Sequence, residues 1–274
     1  GNKLNDLDQY AAADSLFNEA ISLKLRVMRE DPSTDFRGSL ASSYYGKGTS
    51  LLNLGRLQES IASYRSADSL YTAEGSLSSQ RSHINTLTQI GKAYLKSDEY
   101  EKAIELFTIS YNASESLGDD EGKADALDEM GYAHFVKGKH QEALDAFEIA
   151  YDLHILSGNL KDAGYSKSQS GQSLWRLKRF DEAIEAHQAA IAIREQAGFV
   201  SGQAYSWLKL GDLYKESGDP LQAVAAFDTA SQLYDQVGNR SGAADVLETL
   251  GDVYISVEDY AKAAQTHLKA LEIR

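Results

Sequence analysis

A glycine returns every forty residues along most of this chain, at Gly91, Gly131, Gly171, Gly211 and Gly251, and each opens the same pattern. Gly91-Lys-Ala-Tyr94, Gly211-Asp-Leu-Tyr214 and Gly251-Asp-Val-Tyr254 are each followed, twelve residues past the glycine, by Ala103, Ala223 or Ala263. Phe107, Phe227 or His267 then stands sixteen past it. A unit of this length cannot bury its own apolar face and must stack on its neighbours. The spacing therefore predicts an all-α solenoid of antiparallel helix pairs, with extended surfaces suited to binding rather than catalysis.

Each unit divides into helices A and B at a turn seven residues past the opening glycine. Gly55, Gly138 and Gly218 stand at three of these turns and can end a helix in the left-handed conformation. Asp98, Lys178 and Glu258 occupy the equivalent places, so those three turns are expected to differ slightly. A second ladder, Gly75, Gly118, Gly158, Gly198 and Gly238, ends the B helices, and Asp or Asn follows in three cases. Apolar residues at helical spacing, as in Ala103, Ile104, Phe107 and Tyr111, give helix B a stripe that faces helix A and the next repeat. Two prolines in 274 residues fit this helical reading.

The helix A glycine, the aromatic residue three later, the alanine opening helix B, its Phe and the later alanines Ala150, Ala190, Ala230 and Ala270 together resemble the tetratricopeptide repeat family. The forty-residue period, with His187 and His267 in the Phe position, is similar to the longer subclass found in kinesin light chains and Pins-type adaptors. The family's usual proline after helix B is absent. The resemblance implies a concave groove, lined by A helices, that holds a partner's peptide or helix.

Six units are recognisable, opening near Gly48, Gly91, Gly131, Gly171, Gly211 and Gly251, and a partial one opens near Gly1; together they form one expected domain over residues 1–274. The Gly48 to Gly91 interval is 43 residues, and the three extra fall within 74–85, which predicts longer early connections. Asp31-Pro-Ser-Thr-Asp35 reads as a loop followed by a helix start. Tyr10, Ala13, Phe17 and Ala20 match helix B, so the chain is expected to start at or just inside an A helix. It stops inside a B helix, as a section of a longer protein would.

The formal charge of −14 provides no cationic footprint for a nucleic-acid backbone, and no apolar run is long enough for a membrane span. Without cysteine there is no disulfide or thiolate metal site, and no cofactor or metal is expected. With no signal peptide visible, a cytoplasmic site is the default. Gly46-Lys-Gly-Thr-Ser50 lacks the spacing of a phosphate loop and falls inside a helix. Six histidines are scattered, and His187 and His267 hold packing positions. Asp125, Asp128 and Glu129 read as a solvated acidic face. No nucleophile, base and orienting group come together, so the chain is not expected to be an enzyme.

The groove is assigned to positions six and three before each helix A glycine and one, four and five after it. These place Lys92 and Lys96 in one unit, Asp125, Asp128, Tyr132 and Phe135 in the next, then Tyr165, Trp175 and Arg176, then Tyr205 and Lys215. The five aromatic residues Tyr132, Phe135, Tyr165, Trp175 and Tyr205 fall in the middle units, and such residues dominate binding hot spots. Several could instead pack between adjacent A helices. A partner segment with apolar anchors and mixed charge suits this path. The expected function is a protein- or peptide-binding scaffold or adaptor; the alternative is a sensor segment regulating an attached signalling or protease domain.

Overall fold

The computed structural model describes residues 2–274, with side chains from residue 6 onward. The expected opening position at Gly1 lies outside the described residues. Thirteen helices follow one another and no strand is found among the described residues. They are α1 (Asn2–Glu30), α2 (Arg37–Asn53), α3 (Leu57–Glu74), α4 (Leu77–Lys96), α5 (Tyr100–Leu117), α6 (Asp120–Val136) and α7 (His140–Ser157). The rest are α8 (Leu160–Arg176), α9 (Phe180–Gln196), α10 (Val200–Ser217), α11 (Pro220–Gln236), α12 (Arg240–Ser256) and α13 (Tyr260–Ile273). From α2 on, even-numbered helices are A and odd-numbered helices are B. The chain forms two compact units, α1 to α6 ending at Lys137 and α7 to α13 starting at Gly138.

Within each unit successive helices pack as antiparallel neighbours. A helices also meet the next A helix, α2 with α4, α4 with α6, and α8 with α10. This ordering makes the A helices the inner layer of each stack. The opening glycines show why the pattern repeats. A Cβ on Gly48 would meet the Tyr64 ring at 2.7 Å, one on Gly91 the Phe107 ring at 2.5 Å, and one on Gly211 the Phe227 ring at 2.7 Å. Gly171 and Gly251 stand in the same relation to the His187 and His267 imidazoles, at 2.8 and 2.5 Å. The ring sixteen residues on is thus pressed against bare helix backbone. Tyr64, Phe107, Phe147, Phe227 and His187 are fully buried as a result.

The turns differ from expectation. Asp98, Lys178 and Glu258 adopt φ of 60°, 64° and 62°, the same left-handed region as Gly55, Gly138 and Gly218. The cause is the bonding that closes the turn: Arg56 N donates to Leu51 O at 2.9 Å, and Glu99 N, Asp219 N and Asp259 N donate to the equivalent Tyr94, Tyr214 and Tyr254 carbonyls at 2.9 Å. That closure requires the conformation whatever residue occupies the place. After the second ladder, the Asp or Asn caps the following A helix, as when Asp119 Oδ1 accepts from Gly122 N at 3.1 Å and Asn239 Oδ1 from Gly242 N at 3.0 Å.

Two early irregularities also resolve differently. The three extra residues after Glu74 lengthen α4 to 20 residues; its link to α3 is only Gly75 and Ser76, with Ser76 capping the helix. At the start, α1 runs unbroken for 29 residues instead of dividing into A and B. Asp31 organises the expected loop, accepting from Ser33 N at 3.0 Å and Thr34 Oγ1 at 2.8 Å.

Candidate binding surface

Along the A helices from α4 on, the positions six before and one, four and five after the glycine remain wholly or partly exposed; on α2 the position four after, Leu52, is buried. On α4, α6 and α8 the position three before it turns inward, whereas Glu248 on α12 stays partly exposed beside Arg274. Thr88 Oγ1 lies 2.8 Å from Ser110 Oγ on α5, and Ser168 Oγ lies 3.4 Å from His187 Nδ1 on α9. Asp128 belongs to this inward set and is only 8% exposed, so its place on a solvated acidic face is corrected; Asp125, three residues earlier, is exposed. Neighbouring helices explain the difference, since the position three before the glycine meets the following B helix, as Thr88 and Ser168 do, while the position six before it lies outside that contact.

In the first unit, Lys92 Nζ on α4 reaches Glu129 Oε1 on α6 at 2.8 Å, which ties neighbouring inner helices together. Lys96 is exposed at the end of α4. On α6, Tyr132 is 40% exposed and Phe135 is half-buried.

In the second unit, Tyr165 on α8 is likewise 40% exposed, whereas Trp175 and Tyr205 are half-buried. Trp175 packs beside the core of Leu144, Leu174, Ala183, Ala186 and Leu213. Its Nε1 donates to Glu216 Oε2 at 2.6 Å, and Lys178 Nζ donates to the other carboxylate oxygen at 2.9 Å. Those two donors, Lys178 first, hold the Glu216 carboxyl below its ordinary range. Tyr205 Oη accepts from Gln172 Nε2 at 2.8 Å, and Lys209 Nζ sits 5.6 Å from its ring centre. Arg176 and Lys215 are exposed. Trp175 therefore combines a partly covered ring with a held polar edge, so packing and binding readings meet in one residue.

The α8 helix lacks the usual apolar pair, because Lys167 and Ser170 stand where other units have Leu127 and Met130 or Leu247 and Leu250. Lys167 Nζ donates to both Glu148 oxygens, at 3.0 and 2.8 Å, and lies 4.8 Å from the Tyr151 ring centre. Ser166, Ser168, Ser170 and Ser173 are all buried, and Ser170 Oγ has no hydrogen-bond partner. Burial pushes the His187 imidazole down to about 3, so it is neutral.

Arg194, which is 4% exposed on α9, stands outside the positions that the repeat pattern marks as groove. One signal could have found it. In the forty-residue register it follows Ser114 and His154 and precedes Tyr234, and Gly164 then replaces the alanine found at Ala124, Ala204 and Ala244.

A tetratricopeptide repeat family model matches residues 82–155 and 202–274, more than half of the chain. Two further tetratricopeptide repeat models match residues 129–198 and 41–73. No curated protein matches the sequence. Among solved structures, BtubC from P. vanneervenii is similar at 16% identity and TM-score 0.71, covering 84% of this chain and 92% of that one. Kinesin light chain repeats from Podosopora anserina match at 14% identity and TM-score 0.62, covering 75% and 99%. A Rap protein complexed with competence and sporulation factor matches at 15% identity and TM-score 0.58, covering 95% and 84%. At these identities the likeness is one of fold.

Proposed function

The chain belongs to the tetratricopeptide repeat family, and from that premise we propose that it is a binding scaffold whose inner A-helix faces hold a segment of a partner protein or peptide. One observation carries this reading: the rings at the predicted groove positions stay accessible, with Tyr132 and Tyr165 each 40% exposed, while the repeat's structural rings Tyr64, Phe107, Phe147 and Phe227 are completely buried. Large aromatic rings left at a helical surface in register supply contact area with little side-chain entropy to lose. Tyr132 and Phe135 serve the first unit; Tyr165, Trp175 and Tyr205 serve the second. Lys92, Lys96 and Asp125 in the first unit, and Arg176 and Lys215 in the second, provide charge that orients a bound segment and steers its approach. Asp128, turned inward, supports its helix rather than touching the partner.

The test pairs affinity with stability. The partner is first isolated by pull-down with the 274-residue chain, and its bound segment is synthesised as a peptide. Trp175→Ala is expected to weaken that peptide by about 2 kcal/mol. Melting should fall by a lesser amount, since the ring is only half-buried. A large loss of stability with unchanged affinity overturns the groove role of Trp175.

A further inference from the structure

We infer that Arg194 makes the inner face of the second unit a receptor for a carboxylate carried by the partner segment. The inference rests on the groove reading above and deepens it. Arg194 starts from the last turn of α9, a B helix, yet its side chain runs between two A helices. A Cβ on Gly164 of α8 would meet Arg194 Cγ at 2.7 Å, and one on Gly202 of α10 would meet Cδ at 2.9 Å. The two glycines leave the passage open. The guanidinium ends under the inner layer, where Nη1 donates to Gly202 O at 2.8 Å and to Ser206 Oγ at 2.5 Å.

One further donor, Nε, is left over. Nε is buried without a hydrogen-bond partner, and among the described residues no carboxylate acts on this arginine. A buried charge ordinarily has an anionic partner, because its lost hydration is otherwise uncompensated. Here only tyrosines pull against desolvation, Tyr205 first, then Tyr234 and Tyr165, and burial still pushes the guanidinium down to about 10. It remains charged at neutral pH. The first turn of α10 adds to the positive field, since its N-cap Phe199 supplies no side-chain acceptor.

Tyr205 is one of three tyrosines, with Tyr234 and Tyr165, that face the guanidinium. The Tyr205 ring centre is 6.0 Å from the Arg194 guanidinium carbon, and one hydrogen bond from Gln172 restrains its hydroxyl. On this proposal the ligand enters from the groove by displacing the half-buried Tyr205 ring. An unpaired Nε–H on a charged guanidinium suits a carboxylate oxygen. A dianion would meet stronger repulsion from a chain of formal charge −14.

The experiment uses sodium acetate as the probe, titrated through the millimolar range at constant ionic strength against sodium chloride, with inorganic phosphate in a parallel arm. Melting temperature and the arginine Nε–H resonances are followed. Acetate is expected to raise the melting temperature saturably and to move the Arg194 Nε–H signal downfield. Arg194→Met is expected to melt higher than the parent and to lose the acetate response. Arg194→Lys should keep only a weakened one. An acetate effect no greater than chloride, or one undiminished in Arg194→Met, overturns the proposal. A response to phosphate without one to acetate overturns the carboxylate assignment. If Arg194→Met fails to fold, the Nε–H shift in the unsubstituted chain decides alone. Because these readouts need no partner, an intact acetate response beside Trp175→Ala that leaves affinity unchanged would remove the groove role of Trp175 and keep the anion site.

Discussion

A methyl group added at Gly211 tests the packing on which each repeat depends. Gly211 lies within α10, where alanine is favoured over glycine by about 1 kcal/mol on helix propensity alone. Against that, the new Cβ would stand 2.7 Å from Phe227 Cδ1 and Cε1 and 3.0 Å from Cγ. Carbon atoms prefer a separation of about 3.5 to 4.0 Å, so the ring would have to retreat by roughly 1 Å. It has nowhere to go, since Phe227 is fully buried in a cluster with Val246, Leu247 and Leu250. Overpacking of this kind costs about 1 to 3 kcal/mol. With the propensity gain subtracted, Gly211→Ala is expected to destabilise the second unit by about 1 kcal/mol. Urea denaturation, supported by amide exchange in α10 and α11, measures it; exchange is needed because repeat arrays depart from two-state unfolding. Phe227→Leu should remove the clash, so the alanine substitution becomes neutral or stabilising in that background. A more stable Gly211→Ala single variant, or an unchanged penalty beside Phe227→Leu, refutes the reasoning.

Glu258 holds a left-handed conformation, at φ 62°, that strains its Cβ. Glu258→Gly is expected to raise stability by up to about 1 kcal/mol in a thermal melt, the relief of strain being partly offset by added freedom in the unfolded chain. Ser170→Ala removes a buried hydroxyl without a partner, and a gain of about 1 kcal/mol with stronger amide protection in α8 is expected; a loss would show that the hydroxyl is satisfied in solution. The His83 imidazole is raised above its ordinary 6.5, chiefly by its hydrogen bond with Asp68. Its stabilising effect is thus fully present below 6.5 and is lost as pH rises through the higher folded value. Melting curves of the parent and Asp68→Asn should converge above that range and separate below it; a constant separation would count against the pair.

Which features were legible in the sequence follows from how local their causes are. The opening glycines and the rings sixteen residues later are two halves of one contact, so their spacing carried the fold. Gly-Asp and Gly-Asn likewise encode a left-handed helix end followed by a cap, both within a few residues of chain. Asp98, Lys178 and Glu258 show the limit of residue preference, since turn closure by backbone hydrogen bonds imposed the same geometry on them. The three residues added after Glu74 could have lengthened a loop or a helix, and nothing in their identity chose between these.

The groove divides in the same way. Helical phase predicted the exposed positions of Tyr132, Tyr165, Arg176 and Lys215. It misplaced Asp128, because exposure depends on where neighbouring helices lie and not on a residue's polarity. Arg194 is the sharper case. Its ladder of Ser114, His154 and Tyr234 mixes unrelated side chains, and its environment is made by Gly164 and Gly202, which lie 30 residues before it and eight after it. The sequence by itself determined the repeat, the helix pairing and the family, since those depend on contacts that recur with the period. Tertiary structure alone decided which polar groups were sealed inside, since desolvation is set by all the surrounding elements at once.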